Sequence, residues 1–188
     1  MRAIIINNVT SYIDQLQALL SEYCDEVATQ PYEEADYQGI SPSDLVVLSG
    51  GHIYPVVNHD DVYQQELKLI ARHQGPLLGV CLGFQLIAHA YGAELNLMKN
   101  RRKGMVKVEL VDSQLAQQLH YVEAYESHRW CVPSVSPPLE TLGYSDDGVE
   151  LFMHESRSIY GMQFHPEQSD DLTMQQLFSE IISRLVED

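Results

Sequence analysis

The sequence predicts an α/β fold: a single domain over residues 1–188, with a mostly parallel central sheet, helices on both faces and an antiparallel extension. Three observations predict it. The first half alternates short β-branched runs with stretches of helical period, the pattern of parallel strands joined by crossover helices. The second half carries a series of strand-like runs with a hairpin signal between two of them. A last stretch, with Met174, Phe178, Ile181 and Leu185 on one face, reads as a closing amphipathic helix.

Residues 3–6 are a compact apolar run suited to a buried strand. Ser11 with Asp14 three positions on reads as a helix start, and Ile13, Leu16, Leu20 and Tyr23 then recur near helical period. Residues 44–48 form a second buried strand that runs into Ser49-Gly50-Gly51. The following helix is expected to present Tyr63, Leu67, Ile70 and Ala71 on one face and to stop at Gly75-Pro76. Residues 77–80 are a strand and 83–91 a helix closed by Gly92. Later strands are expected over 106–111, 121–125, 139–144, 149–153 and 159–164, with Asp146-Asp147-Gly148 as a tight turn.

Composition excludes several functions. Eleven Lys and Arg against 27 Asp and Glu give a formal net charge of −16. Such a surface repels phosphate backbones and anionic membranes, so neither nucleic acid nor membrane is an expected partner. The apolar run near the N-terminus is too short for a signal-peptide core, and no stretch has transmembrane length. The three cysteines, Cys24, Cys81 and Cys131, cannot all pair within one chain and form no C-x-x-C metal pattern. A reducing cytoplasm with a free thiol fits them, and no metal or cofactor is expected.

The segment GVCLGFQ, residues 79–85, carries the strongest chemical signal. A strand runs into a sharp turn, Gly79-x-Cys81-x-Gly83, and a helix begins at once, which is a nucleophile elbow with Cys in place of Ser. The thiol then stands at the carboxyl end of a strand and at a helix N-terminus, whose partial positive charge favours thiolate. Acyl transfer from a thiolate needs a histidine and a third group to orient it. Of eight histidines, His165 has the best context: GMQFHPE, residues 161–167, delivers it from a strand, Pro166 stiffens the exit, and Glu167 lies two residues on. In an extended backbone the two side chains share a side.

These two segments resemble the signatures of the class I (triad) glutamine amidotransferases, which are flavodoxin-like, and the resemblance spans nearly the whole chain. It implies hydrolysis of the glutamine side-chain amide through a γ-glutamyl thioester, with Cys81 as nucleophile, His165 as proton relay and Glu167 as its orienting carboxylate. Leu48-Ser49-Gly50-Gly51-His52 matches the family's Gly-rich loop. By that likeness, Gly51 and Leu82 would donate their N–H groups to an oxyanion hole. His52 stands where the usual loop has proline. The same resemblance implies Gln85, Ser127 and His128 as glutamine-binding residues; the fork of Arg129 suits a carboxylate, and a solvated or partner-facing role is the equal alternative.

The subgroup most resembled is the glutaminase of GMP synthase, through Glu126-Ser127-His128 and the chain length. Lys103-Gly104 lacks the His-Gly-Lys element of relatives that pair with anthranilate-type synthases. No P-loop is present, so the implied ammonia acceptor is a separate synthetase subunit. Two alternatives share the same core: a γ-glutamyl hydrolase acting on γ-glutamyl amines or peptides, and a non-catalytic regulatory module. The basic run over residues 99–103 reads as a solvated loop, or as a patch facing a partner or an anionic substrate.

Overall fold

A computed structural model describes residues 1–111 and 119–187. Its single nine-stranded sheet has the order β2-β1-β3-β4-β9-β8-β7-β5-β6. The strands are β1 (Arg2–Asn8), β2 (Glu26–Pro31), β3 (Leu45–Gly51), β4 (Leu77–Val80), β5 (Asn96–Leu110), β6 (Tyr121–Cys131), β7 (Leu139–Ser145), β8 (Gly148–His154) and β9 (Ile159–Met162). The helices are α1 (Ile13–Ser21), α2 (Gln64–Arg72), α3 (Leu82–Ala90) and α4 (Leu172–Glu187). Strands β2, β1, β3, β4 and β9 run parallel. From β9 outward the pairing is antiparallel.

The parallel half is buried on both sides, which is why its strands read as continuous apolar runs. Alternation sends Ile5, Leu45 and Val47 into one core, shared with Leu16 and Leu20 of α1 and with Met174, Phe178, Ile181 and Leu185 of α4. Ile4, Ile6, Val46 and Leu48 face the other core, with Leu69 and Ile70 of α2 and Phe84 and Ile87 of α3. Each such side chain contributes roughly 2 kcal/mol when fully buried. Burial therefore outweighs the weak caps of short helices such as α1.

Several local expectations are corrected. Helix α1 starts one residue later than Ser11 implies: Tyr12 is its N-cap, and no side chain caps it. Its packing, not a capping box, holds its start. The inward face of α2 is Glu66, Leu69 and Ile70, with Tyr63 buried at its N-cap; Leu67 is half-buried and packs against the same core as expected, whereas Ala71 is exposed. A buried carboxylate, Glu66, thus shares the inward face with apolar residues, while Ala71 faces solvent. Strand β2 has no clear apolar alternation, and its half-buried edge position explains that. The basic run is not a loop but part of β5, whose register against β6 shifts between Leu97 and Arg102.

The antiparallel half curls back over the carboxyl ends of the parallel strands. His165 N–H donates to the Tyr125 carbonyl at 2.8 Å, and Val149 N–H to the Val132 carbonyl at 2.9 Å. Edge strand β6 thereby meets the segments beside β8 and β9. Asp146 and Asp147 form the tight turn between β7 and β8, as expected, with Ser145 paired to Gly148. Among the described residues, no helix is long and apolar enough to cross a membrane.

Candidate active site

Strand β4 ends at Val80 and α3 begins at Leu82, so Cys81 alone makes the turn. Its backbone is left-handed, at φ 52°, a strained conformation for a side-chain-bearing residue. Close approach makes the neighbouring glycine obligatory: a Cβ on Gly83 would stand 2.1 Å from the Leu48 carbonyl oxygen. Cys81 is 4% exposed. It opens into a cavity of about 620 Å³ whose walls include Gly51, Leu82, Gln85, Ser127, His128 and His165.

His165 and Glu167 lie past the end of β9. His165 is extended, and Glu167 sits in a 3₁₀ turn, Pro166–Gln168, with Pro166 at its first turn. The pairing therefore arises from a turn rather than a continuous extended strand. His165 Nδ1 lies 2.8 Å from Glu167 Oε1, and both side chains are buried. Burial disfavours charge on the imidazole, but the neighbouring Cys81 sulfur, through charge and a hydrogen bond, and then Glu167 outweigh it. Together they push His165 up to about 10. A protonated imidazole next to a sulfur nucleophile is a proton donor for a leaving group.

The loop after β3 completes this wall. A Cβ on Gly50 would meet His165 Cε1 at 2.9 Å and Cys81 Cβ at 3.5 Å, so Gly50 fits between the two. Gly51 reaches the cavity, and so does the exposed His52. On the opposite wall Gln85 Nε2 donates to the Trp130 carbonyl at 3.1 Å and to Gln163 Oε1 at 3.0 Å. His128 places Nδ1 2.9 Å from that same carbonyl and Nε2 3.0 Å from Glu126 Oε2. Ser127 Oγ accepts from Arg101 at 2.9 Å. Every predicted site residue but Glu167 lines one cavity, and Glu167 stands directly behind His165.

Further residues belong to the site, and of these Tyr12 was not singled out from sequence. Tyr12 packs edge-on against His165 with ring centroids 5.0 Å apart, and its hydroxyl lies 3.3 Å from that of Tyr125. Arg101 reaches the cavity because β5 changes register just there. Trp130 both packs against the core and lines the cavity. No local pattern marks Tyr12, and the curl of the sheet brings Arg101 and Trp130 in from distant strands.

Behind this wall lies a buried polar group. Among the described residues, Glu126, His128 and Glu150 are the one set of three side chains close enough to hold a metal ion together. Burial, then the negative charge of Glu126, pushes Glu150 up to about 9, while the Ser145 hydroxyl donates to it at 2.6 Å and opposes the shift. Such a carboxyl is protonated at neutral pH and can donate to its acidic neighbour.

Fold and geometry together define an α/β protein with a cysteine at a nucleophile elbow and a histidine–carboxylate pair beside it. The chain belongs to the glutamine amidotransferase class-I family, whose profile matches residues 4–183. It is 33% identical over 174 residues to the glutamine-hydrolysing GMP synthase subunit of Methanococcus maripaludis, covering 88% of this chain and 87% of that one. The corresponding subunit of Methanobrevibacter smithii is 29% identical over 175 residues, with 89% and 87% covered. A crystal structure assigned to a GMP synthase subunit from Thermoplasma acidophilum superposes with a TM-score of 0.85 at 24% identity, covering 100% of this chain and 94% of that chain. A glutamine amidotransferase from Thermotoga maritima has a TM-score of 0.72 at 20% identity, with 100% and 89% covered.

Proposed function

We propose that this chain, acting as one unit, hydrolyses glutamine to glutamate and ammonia in the cytoplasm and hands the ammonia to a separate synthetase subunit, as the glutaminase half of a two-chain GMP synthase. The observation that carries the reading is the strained Cys81 at its elbow beside a His165–Glu167 pair at 2.8 Å. The relatives named above support the choice of glutamine and of a partner subunit.

In this reading the Cys81 sulfur attacks the side-chain amide carbon and forms a C–S bond. The carbonyl electron pair moves onto oxygen, which Gly51 and Leu82 N–H groups receive. The His165 imidazolium passes its proton to the departing nitrogen as the C–N bond breaks, which releases ammonia and leaves a thioester. Water then adds to the thioester, His165 takes a proton from it, and the C–S bond breaks to give glutamate. Glu167 holds the imidazole in one orientation throughout. Gln85, Ser127 and His128 hold the amino-acid end of the substrate, with Arg101 and Arg129 as the guanidinium groups on the cavity wall.

Glutamate release from glutamine is the direct test. Cys81→Ala is expected to abolish it with the thermal melt retained, and Glu167→Gln to lower kcat by about two orders of magnitude or more. Turnover that survives Cys81→Ala would sink the mechanism. Addition of a GMP synthase synthetase chain is expected to raise the rate. Preference for γ-glutamyl peptides over glutamine in a substrate panel would instead assign a γ-glutamyl hydrolase.

A further inference from the structure

Glu66 is the buried carboxylate of α2 that the chemistry above leaves unused, and its surroundings give it a task. Its side chain is 1% exposed and ends against Asn8, the last residue of β1. Asn8 Nδ2 donates to Glu66 Oε1 at 2.9 Å and to the Ser49 carbonyl at 3.4 Å. Asn8 N–H donates to Ser49 Oγ at 2.9 Å, and the Ser49 hydroxyl in turn donates to the Gly50 carbonyl at 2.8 Å. The register of β1 against β3 slips between Ile6 and Asn8, so that Asn8 pairs with Gly51. A Cβ on Gly51 would stand 2.3 Å from the Asn8 carbonyl oxygen and 2.7 Å from the Leu82 side chain. Asn8 therefore grips Ser49, Gly50 and Gly51 from behind, and Gly51 faces the cavity.

We propose that Asn8 and Glu66 are positioning residues for the oxyanion loop: Glu66 fixes the Asn8 amide, and Asn8 fixes the end of β3 against the Cys81 elbow. The proposal rests on the glutaminase reading with Gly51 as an oxyanion donor. A carboxylate in an apolar wall costs several kcal/mol unless it is paired or neutral. Burial does push Glu66 up to about 7, against the lowering effect of its bond to Asn8. Among the described residues, its charge is felt by Tyr63 at the N-cap of its helix and by Tyr32 and Tyr37 from the β2–β3 connection; burial, with Glu66 as a further cause, raises all three phenols. No basic side chain is among them to make Glu66 one half of an ion pair, so its retained role is to accept from Asn8.

The test uses the full chain with Glu66→Leu, Glu66→Gln and Asn8→Asp, each close in volume to the original. Two rates of Cys81 labelling are compared with steady-state turnover. Iodoacetamide needs only the sulfur, whereas 6-diazo-5-oxo-norleucine presents a ketone that must enter the oxyanion hole. Glu66→Leu and Asn8→Asp are expected to lower kcat about tenfold with KM within twofold, since loss of one oriented donor costs roughly 10²–10³ and misplacement costs less. Ketone labelling should fall in step, iodoacetamide labelling should hold, and Glu66→Gln, which keeps the acceptor, should restore near-normal kcat. Should the stronger variants fail to fold, Glu66→Asp shortens the reach by one methylene and is expected to move kcat the same way. Folded variants with unchanged kcat would overturn the proposal alone, as would equal loss in both labelling rates. A wild-type chain that releases no glutamate, with or without a synthetase partner, would overturn the glutaminase reading and this proposal with it.

Discussion

At the scale of single residues, the site is a set of charges that burial alone would not allow. His165 is 3% exposed and yet keeps its proton, because the sulfur of Cys81 and the carboxylate of Glu167 face it. Removing the sulfur removes the leading cause that raises it, so Cys81→Ala is expected to bring His165 down from about 10 towards its ordinary range. An NMR titration of the His165 ring protons checks this, and an unmoved midpoint would contradict it. The sign for stability follows from a raised folded value. The contribution is fully present below the unfolded value near 6.5 and is lost as pH rises through about 10. Cys81, His165 and Glu167 were legible in the sequence because a strand–turn–helix elbow and a His-x-Glu exit are local patterns. Tyr12 was not, since nothing near it in the chain foretells that its ring will rest on His165.

At the scale of elements, β6 and β8 share a buried acidic pair that neither strand reveals alone. Glu150 keeps its proton up to about 9 in the folded protein, whereas an unfolded chain releases it near 4.5. Between those values the folded state holds the extra proton, so this group lowers stability as pH rises through that window. Glu150→Gln is isosteric and always neutral, and its amide can donate to Glu126. The advantage of this variant in Tm over the parent is therefore expected to grow from pH 5 to pH 9, and a constant difference would refute the assignment. Elements with strong periodicity, such as α4 with Met174, Phe178, Ile181 and Leu185, were legible in advance. The inner face of α2 was legible at Tyr63, Leu67 and Ile70 but not at Glu66 or Ala71, because apolarity is a poor marker where a buried carboxylate shares the face. Glu66 is held inward by its hydrogen bond from Asn8.

At the scale of the whole molecule, a net charge of −16 on a chain of this size is a source of self-repulsion. Screening acts over about 8 Å at physiological ionic strength, so added salt relieves it. Raising NaCl from about 10 mM to about 150 mM is expected to lift Tm on the order of a few degrees. A fall would mean that surface ion pairs such as Arg184 with Glu180 matter more. The parallel half of the sheet was legible as alternating strands and helices. The curl of the other half was not, because it depends on contacts such as His165 N–H with the Tyr125 carbonyl, made between residues far apart in sequence.

That curl divides labour in the molecule. Cys81, His165 and Glu167 stand at the exits of parallel strands, whereas Ser127, His128, Arg129 and Arg101 ride on β5 and β6, a two-stranded ribbon at the sheet's far edge. The ribbon meets the rest along the β5–β7 edge, through core residues such as Val122 and Ala124, and at the Tyr125 carbonyl, so a transplant must keep those contacts. Grafting β5 and β6 from a relative with another γ-glutamyl preference is expected to carry that preference across, while the reactivity of Cys81 toward a small alkylator stays with the scaffold. Chemistry and taste would then be separately heritable parts of one fold.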